Sequence, residues 1–146
     1  KPQNIVVPVG TAYQDIIDFA GVKGELGKVV AGGAMMGPAV ENLSYPTTKT
    51  TSGLIFLSKA AAEPAPVNPC IRCGRCVEYC PMGLEPVEVN QAYAARDVQE
   101  LGKLHVDYCF NCGSCTFVCP AKRPCTQMMG LAKAFYLGEI KKGGNK

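Results

Sequence analysis

The stretch CIRCGRCVEYCP, residues 70 to 81, is written again as CFNCGSCTFVCP at residues 109 to 120. Cys70 and Cys109, Cys73 and Cys112, Cys76 and Cys115, and Cys80 and Cys119 all stand 39 residues apart, as do Gly74 and Gly113 and Pro81 and Pro120. A register kept by thiols and turn residues alike marks a duplicated structural unit, because thiols scattered through a core would share no offset. Three thiols at two-residue spacing on a tight loop reach three corners of one iron–sulfur cubane, and Gly74 and Gly113 let the backbone turn sharply around it. The fourth corner needs a thiolate from elsewhere.

In the C-x2-C-x2-C-x3-C-P pattern the fourth cysteine ligates the other cluster. By that rule Cys70, Cys73, Cys76 and Cys119 hold one 4Fe-4S cluster, and Cys109, Cys112, Cys115 and Cys80 hold the second. Pro81 and Pro120 redirect the chain after each crossing. Structural zinc is the competing reading, since paired C-x2-C units also build four-cysteine zinc sites. Zinc explains neither the third cysteine at the same spacing nor the terminal Cys-Pro. A Rieske centre needs two histidines, and His105 is the only one in the chain.

The 146 residues fit one medium domain or two small ones, and 47% apolar with 18% charged residues is ordinary globular usage. Eight of the nine cysteines lie in the two runs, so the pattern reads as metal binding in a reducing, cytoplasmic compartment rather than as a disulfide scaffold. The longest nearly apolar stretch, VVAGGAMMGPAV at 29 to 40, is shorter than the roughly 20 residues of a spanning helix and is broken by Gly and Pro. No transmembrane segment is expected. The formal charge of +3 counts thiols as neutral; eight ligand thiolates and two oxidised cubane cores bring it to about −1, so the basicity predicts no nucleic-acid partner. Lys1 opens directly into a strand-like run without an initiator Met, which suggests a piece of a longer polypeptide.

Residues 4 to 9, NIVVPV, read as a strand that has no partner before it, so an upstream strand is expected to pair with it. Thr11 and Gln14 fit a capping box for a helix whose apolar positions are Ala12, Ile16, Phe19 and Ala20 and which Gly21 stops. KVVAGG (28 to 33) and GLIFLS (53 to 58) read as two more strands. AAAEPAPVNP (60 to 69), with three prolines, reads as a linker. Residues 86 to 104 favour helix with a break near Arg96-Asp97, and Thr126 is expected to cap a last helix with a stripe of Met128, Leu131, Ala132 and Phe135, ending at Gly138 or in the polar tail. The expected fold is therefore α+β, with a small sheet domain over 1–59, a linker over 60–69 and a mostly helical cluster domain over 70–146.

Ile71, Val77, Tyr79, Phe110, Phe117 and Val118 are expected to form an apolar shell around the cubanes. Arg72, Arg75, Lys122 and Arg123 are charged neighbours whose individual effects are expected to be small. Cys125 breaks the register of the repeat and reads as a packed thiol. GGAMMG at 32 to 37 does not fit G-x-G-x-x-G, and GELGKV at 24 to 29 lacks the first Gly and the Ser or Thr of a P-loop, so both read as turns. His105 reads as a solvated helix-end residue, and no side chain pairs with it in a catalytic pattern.

PQNIVVPVGTAYQDIIDFAGV, GELGKVVAGGAMMG, TTSGLIFLS and PCIRCGRCVEYCPMGLEP together resemble the C-terminal part of RnfC, the peripheral subunit of the Rnf ferredoxin:NAD oxidoreductase complex. The resemblance runs from residue 2 to about residue 137. It implies a soluble-ligand-binding (SLBB) β-grasp domain lacking its first strand, then a helical two-cluster ferredoxin domain with the eight cysteines above as ligands. It places the family's FMN and NADH sites upstream of this segment. The chain would then relay single electrons between that flavin and a partner subunit, as part of an ion-translocating oxidoreductase. Expected partners are the other subunits of a membrane complex and ferredoxin or flavoprotein donors and acceptors, at the cytoplasmic face of the membrane. Two further readings remain: the corresponding part of a microcompartment cobalamin reductase, and a ligand-binding or docking module with structural clusters.

Overall fold

In the computed structural model, which describes residues 2 to 143, the first helix, α1 (Tyr13–Ala20), starts where its free amides find carbonyls from a distant segment. The Tyr13 and Gln14 N–H groups donate to Tyr45 O and Leu43 O at 3.1 and 3.0 Å, and Thr47 N–H returns a bond to Thr11 O at 2.8 Å. With those donors satisfied, the expected capping box does not form. Ala12 is the N-cap, Thr11 Oγ1 donates to Pro8 O, and Gln14 Nε2 donates to Asp18 Oδ1. The buried face is Tyr13, Ile16 and Ile17; Phe19, expected inside, is 74% exposed. Gly21 ends the helix in the left-handed region, as expected.

Strand β1 (Leu26–Ala31) pairs antiparallel with β2 (Leu54–Ser58), with Lys28 opposite Leu57, Ala31 opposite Leu54, and an irregularity between Leu26 and Lys28. Val29 and Val30 are both buried. GGAMMG is a turn, as expected, and it folds back on its own strand: Ala31 N–H donates to Pro38 O and Val40 N–H to Val29 O. A Cβ on Gly37 would lie 2.6 Å from Val30 Cγ1, so glycine is what allows this approach. GELGKV is not a turn but the opening of β1.

Residues 4 to 9 are extended but join no strand, which corrects the three-strand expectation: the sheet among the described residues has two strands. Without a ladder, Val6 and Val9 stand exposed, and the segment is tied down only at its end, where Gly10 N–H donates to Thr47 O and Pro8 O accepts from Thr11 and Thr47. The linker also begins differently from expectation. Its first residues lie in a short helix, α2 (Lys59–Ala62), where the Ser58 side chain accepts from Ala61 N–H at 3.4 Å; prolines enter only at Pro64.

The chain divides into two compact units, Lys1–Pro64 and Ala65–Lys146. The second contains α3 (Arg75–Glu78), α4 (Pro86–Ala94), α5 (Val98–Lys103), a 3-10 turn (Val106–Tyr108), α6 (Ser114–Phe117) and α7 (Cys125–Gly143). Pro86 opens α4 at a position where a missing N–H costs nothing. The break falls where composition placed it: Arg96 takes φ 58°, and Asp97 caps α5 by accepting Glu100 N–H at 2.9 Å. The Arg96 guanidinium lies 4.7 Å from the Tyr93 ring and 4.9 Å from the Phe135 ring, which meet edge to face.

α7 begins at Cys125, not behind a Thr126 cap, and it runs past Gly138. Its buried stripe is Cys125, Met129 and Ala132, one row round from the expected face; Leu131 is exposed. Of the expected stripe, only Ala132 is fully inside. The core joins Leu84, Val89, Ala92, Leu101, Val106, Met129 and Ala132.

Candidate iron–sulfur centres

The 39-residue offset seen in the cysteines also governs the backbone. Helices α3 and α6 begin at Arg75 and Ser114, and α4 and α7 begin at Pro86 and Cys125. The left-handed positions match as well: Arg72 with Asn111 (φ 52° and 56°), Gly74 with Gly113 (79° and 87°), and Gly83 with Lys122 (64° and 54°). Only one of these pairs keeps its residue type, so the turn geometry is repeated even where the sequence has drifted. Arg72, Asn111 and Lys122 sit in the left-handed region without being glycine, a conformation that the surrounding loop must impose.

The eight thiols line two separate cavities. The first, about 260 Å³, is walled by Cys70, Cys73, Cys76 and Cys119, with Val87, Asn90 and Cys125 beside them. The second, about 20 Å³, is walled by Cys80, Cys109, Cys112 and Cys115, with Pro86, Thr126 and Met129. Each cavity thus takes three thiols from one copy and the last from the other. The supporting residues are swapped in the same way: Val87 stands to the first cavity as Thr126 does to the second, 39 residues on. Among the described residues no three Cys, His, Asp or Glu groups gather closely enough to hold one metal ion.

Burial pushes the Cys76 and Cys115 thiols up from their ordinary range, and neighbouring thiolates add to it, Cys115 among those acting on Cys76. Backbone N–H groups, and at Cys115 the Thr126 hydroxyl, act in the opposite direction. These two thiols lie on α3 and α6, which pack together, so the cavities are adjacent. Holding iron requires their deprotonation, so metal uptake there is coupled to proton release.

The chemistry of the walls fits iron–sulfur clusters. Thiolate is the ligand they require, two sets of four are present, and polar groups stand ready to meet sulfur. At the second cavity Leu84 N–H donates to Cys80 Sγ at 3.3 Å, and the Ser114 hydroxyl, which accepts from the Cys112 thiol at 3.4 Å, can turn its proton to a thiolate there. At the first, the buried Asn90 Oδ1 has no hydrogen-bond partner. Turned end for end, that amide would offer N–H donors to the sulfurs of a bound cluster.

Cys125 occupies the wall of the first cavity as a fifth thiol, 5% exposed, and its pKa is pushed up to about 12, by burial first and then by Cys119. Of the six residues of the expected apolar shell, Ile71 lines the first cavity and the other five line neither. Ile71, Tyr79, Phe110 and Phe117 are exposed, 50% or more, Val77 is 38% exposed, and Val118 is half-buried. The apolar backing comes instead from α4 and α7, through Val87, Pro86 and Met129, whose positions no cysteine spacing marks. Arg75 and Arg123 line the first cavity, whereas Arg72 and Lys122 are recognisable chiefly by their left-handed backbone. His105 is exposed at the end of α5 and stacks on Tyr108 at 5.2 Å between ring centroids.

A family model described as a 4Fe-4S dicluster domain matches residues 69–122. The C subunit of a proton-translocating ferredoxin:NAD(+) oxidoreductase complex from Clostridium ljungdahlii is 46% identical over 87 residues, covering 59% of this chain and 19% of that protein. The C subunit of an ion-translocating oxidoreductase complex from Rhodobacter capsulatus is 39% identical over 105 residues, 71% of this chain and 20% of the relative. Its counterpart in a Na(+)-translocating ferredoxin:NAD(+) oxidoreductase complex from Acetobacterium woodii is 38% identical over 99 residues, 67% of this chain and 22% of the relative. The chain spans about a fifth of the length of these curated relatives. All three matches exceed the length of the second unit, so each also takes in part of the first.

Proposed function

From the homology of its cluster region to the C subunits of the ion-translocating ferredoxin:NAD(+) oxidoreductases, we propose that this chain is the electron-relay part of such a protein, from its C-terminal region. The observation that carries the reading is the swapped lining of two adjacent cavities by two sets of four thiols. Cys70, Cys73, Cys76 and Cys119 hold one 4Fe-4S cluster, and Cys109, Cys112, Cys115 and Cys80 the other. A bound cubane accepts and releases one electron at a time, which allows a two-electron hydride equivalent from a flavin to be divided.

The chain's own residues contribute three things. The left-handed turns at Gly74 and Gly113 aim three thiols inward from each loop. Val87 at the first cavity and Met129 at the second back the clusters with apolar side chains that limit water. Ile71 and Phe110, at the same place in each copy beside the first ligand, are 68% and 50% exposed, and present apolar contact surface at the outer edge of each centre. Those edges are where we place electron entry and exit, one toward an FMN/NADH-binding part of the full-length protein and one toward a partner subunit.

The first unit, with its two-stranded sheet, is read as part of an SLBB β-grasp domain. The domain boundaries follow as 1–59, 60–69 and 70–146. No helix among the described residues is long and apolar enough to cross a membrane, and we place the chain peripherally on the cytoplasmic face beside membrane subunits. The names of the relatives above favour this setting over a cobalamin reductase.

Iron, acid-labile sulfide and zinc content of anaerobically purified protein tests the reading, with electron paramagnetic resonance before and after reduction. About eight irons and eight sulfides with interacting reduced-cubane signals are expected. Zinc without sulfide would overturn it.

A further inference from the structure

Thr116, Thr126 and Cys115 form a hydrogen-bond chain that reaches the wall of the second cavity. The backbone N–H of Thr126 donates to Thr116 Oγ1 at 2.8 Å, so that oxygen is an acceptor there. Thr116 Oγ1 spends its own proton on Thr126 Oγ1, also at 2.8 Å. Thr126 Oγ1 is then an acceptor from Thr116 and keeps its proton free. The remaining partner in its reach among the described residues is Cys115 Sγ, at 3.4 Å. A cluster-bound Cys115 is a thiolate with no proton to give, so when it ligates iron the Thr126 hydroxyl is the donor in this pair.

We propose that the Thr116–Thr126 pair is a potential-setting device for the second cluster, donating a hydrogen bond to the Cys115 thiolate. The inference rests on the relay reading above and adds a residue role that cysteine spacing does not assign. A hydrogen bond to a thiolate ligand stabilises the more negative, reduced state of its cluster, so it raises the reduction potential. The duplication supplies an internal control. The residues 39 positions earlier are Val77 and Val87, and Val87 lines the first cavity as Thr126 lines the second. The fold therefore places Thr126, hydrogen-bonded to Thr116, on the wall of the second cavity, and Val87, a methyl-bearing side chain of similar volume, at the matching place on the first, with Val77 in the position of Thr116. Thr126 is a positioning residue here: it acts on the cluster through its ligand.

The test is a redox titration, followed by electron paramagnetic resonance, of cluster-loaded Thr126→Val, Thr126→Ser and the double variant Val77→Thr/Val87→Thr. Iron and sulfide are measured on each preparation. Thr126→Val should lower one of the two midpoints by about 59 mV, roughly a tenfold change in a one-electron equilibrium, and leave the other in place. Thr126→Ser, which keeps the hydroxyl, should restore it. The double variant should raise the midpoint that Thr126→Val leaves alone. Unmoved midpoints in Thr126→Val at full iron content, or equal shifts in the Val and Ser variants, would overturn the device while leaving the relay intact. If the Val variant does not assemble clusters, the double variant decides alone, and an unmoved midpoint there overturns the proposal. Absence of sulfide from the parent protein would instead remove the relay reading itself.

Discussion

The two copies of the cysteine loop share a backbone and differ in their surroundings. Both turn through the same left-handed positions, and both release a helix at the same offset. Yet Cys70 and Cys73 of the first loop are exposed, whereas Cys109 and Cys115, with the exchanged Cys80, pack against the core formed by Leu84, Val89, Leu101, Val106 and Met129. Hydroxyls and an amide N–H reach the sulfurs of the second site; at the first, an amide with an unmatched oxygen and a fifth thiol take their place. Duplication followed by divergence of the flanking helices can thus keep the ligand geometry while separating the electronic environments, because ligation depends on loop conformation and potential on what packs behind it.

The comparison is broken most directly at the exchanged ligands. If the swap is right, Cys119→Ala should cost the site built from the first loop and Cys80→Ala the site built from the second. Iron would fall from about eight to about four per chain in each case, with different residual resonance spectra. Loss of the same signal from both variants would mean the copies are not exchanged. Cys125→Ala should leave the iron unchanged.

Next in size is the core that backs the second site. Leu101→Ala removes a fully buried side chain and should destabilise the protein by about 2–5 kcal/mol in denaturant titration. Phe19→Ala, at an exposed position in the first unit, should change stability by less than about 0.5 kcal/mol. Gly74→Ala and Gly113→Ala test the shared backbone. Each forces a side chain into the left-handed region, so each should cost about 1–2 kcal/mol, and by similar amounts. A large inequality would show that the loops are held by different contacts. A smaller effect belongs to Arg96→Ala, which removes the guanidinium from the Tyr93 and Phe135 rings and should cost about 0.5–1 kcal/mol in the same titration.

Much of this was legible in the chain. The repeat marked the eight thiols that line the two cavities, and the helix break at Arg96-Asp97 followed from composition and a capping Asp. The failures have a common cause. Thr11 and Gln14 form a good local cap, but carbonyls from residues 43 and 45 reached the same amides first. Phe19, Met128 and Leu131 fit an apolar stripe, but which row of a helix is buried depends on its neighbour, and the stripe turned by one position. The shell residues beside the cysteines looked internal because they are apolar, yet of the six only Ile71 lines a cavity.

Cysteine spacing alone pointed to two sets of four thiols and to their exchange between the copies, because ligation is a matter of residue type and local reach. Only the tertiary structure decided that Val87 and Asn90 line one cavity and Thr126 the other, that Cys125 is a fifth thiol on one wall, and that Thr126 Oγ1 comes within 3.4 Å of Cys115 Sγ while accepting from Thr116. Those facts depend on helices brought alongside the loops from other parts of the chain, and no local pattern records which of their faces will meet the metal site.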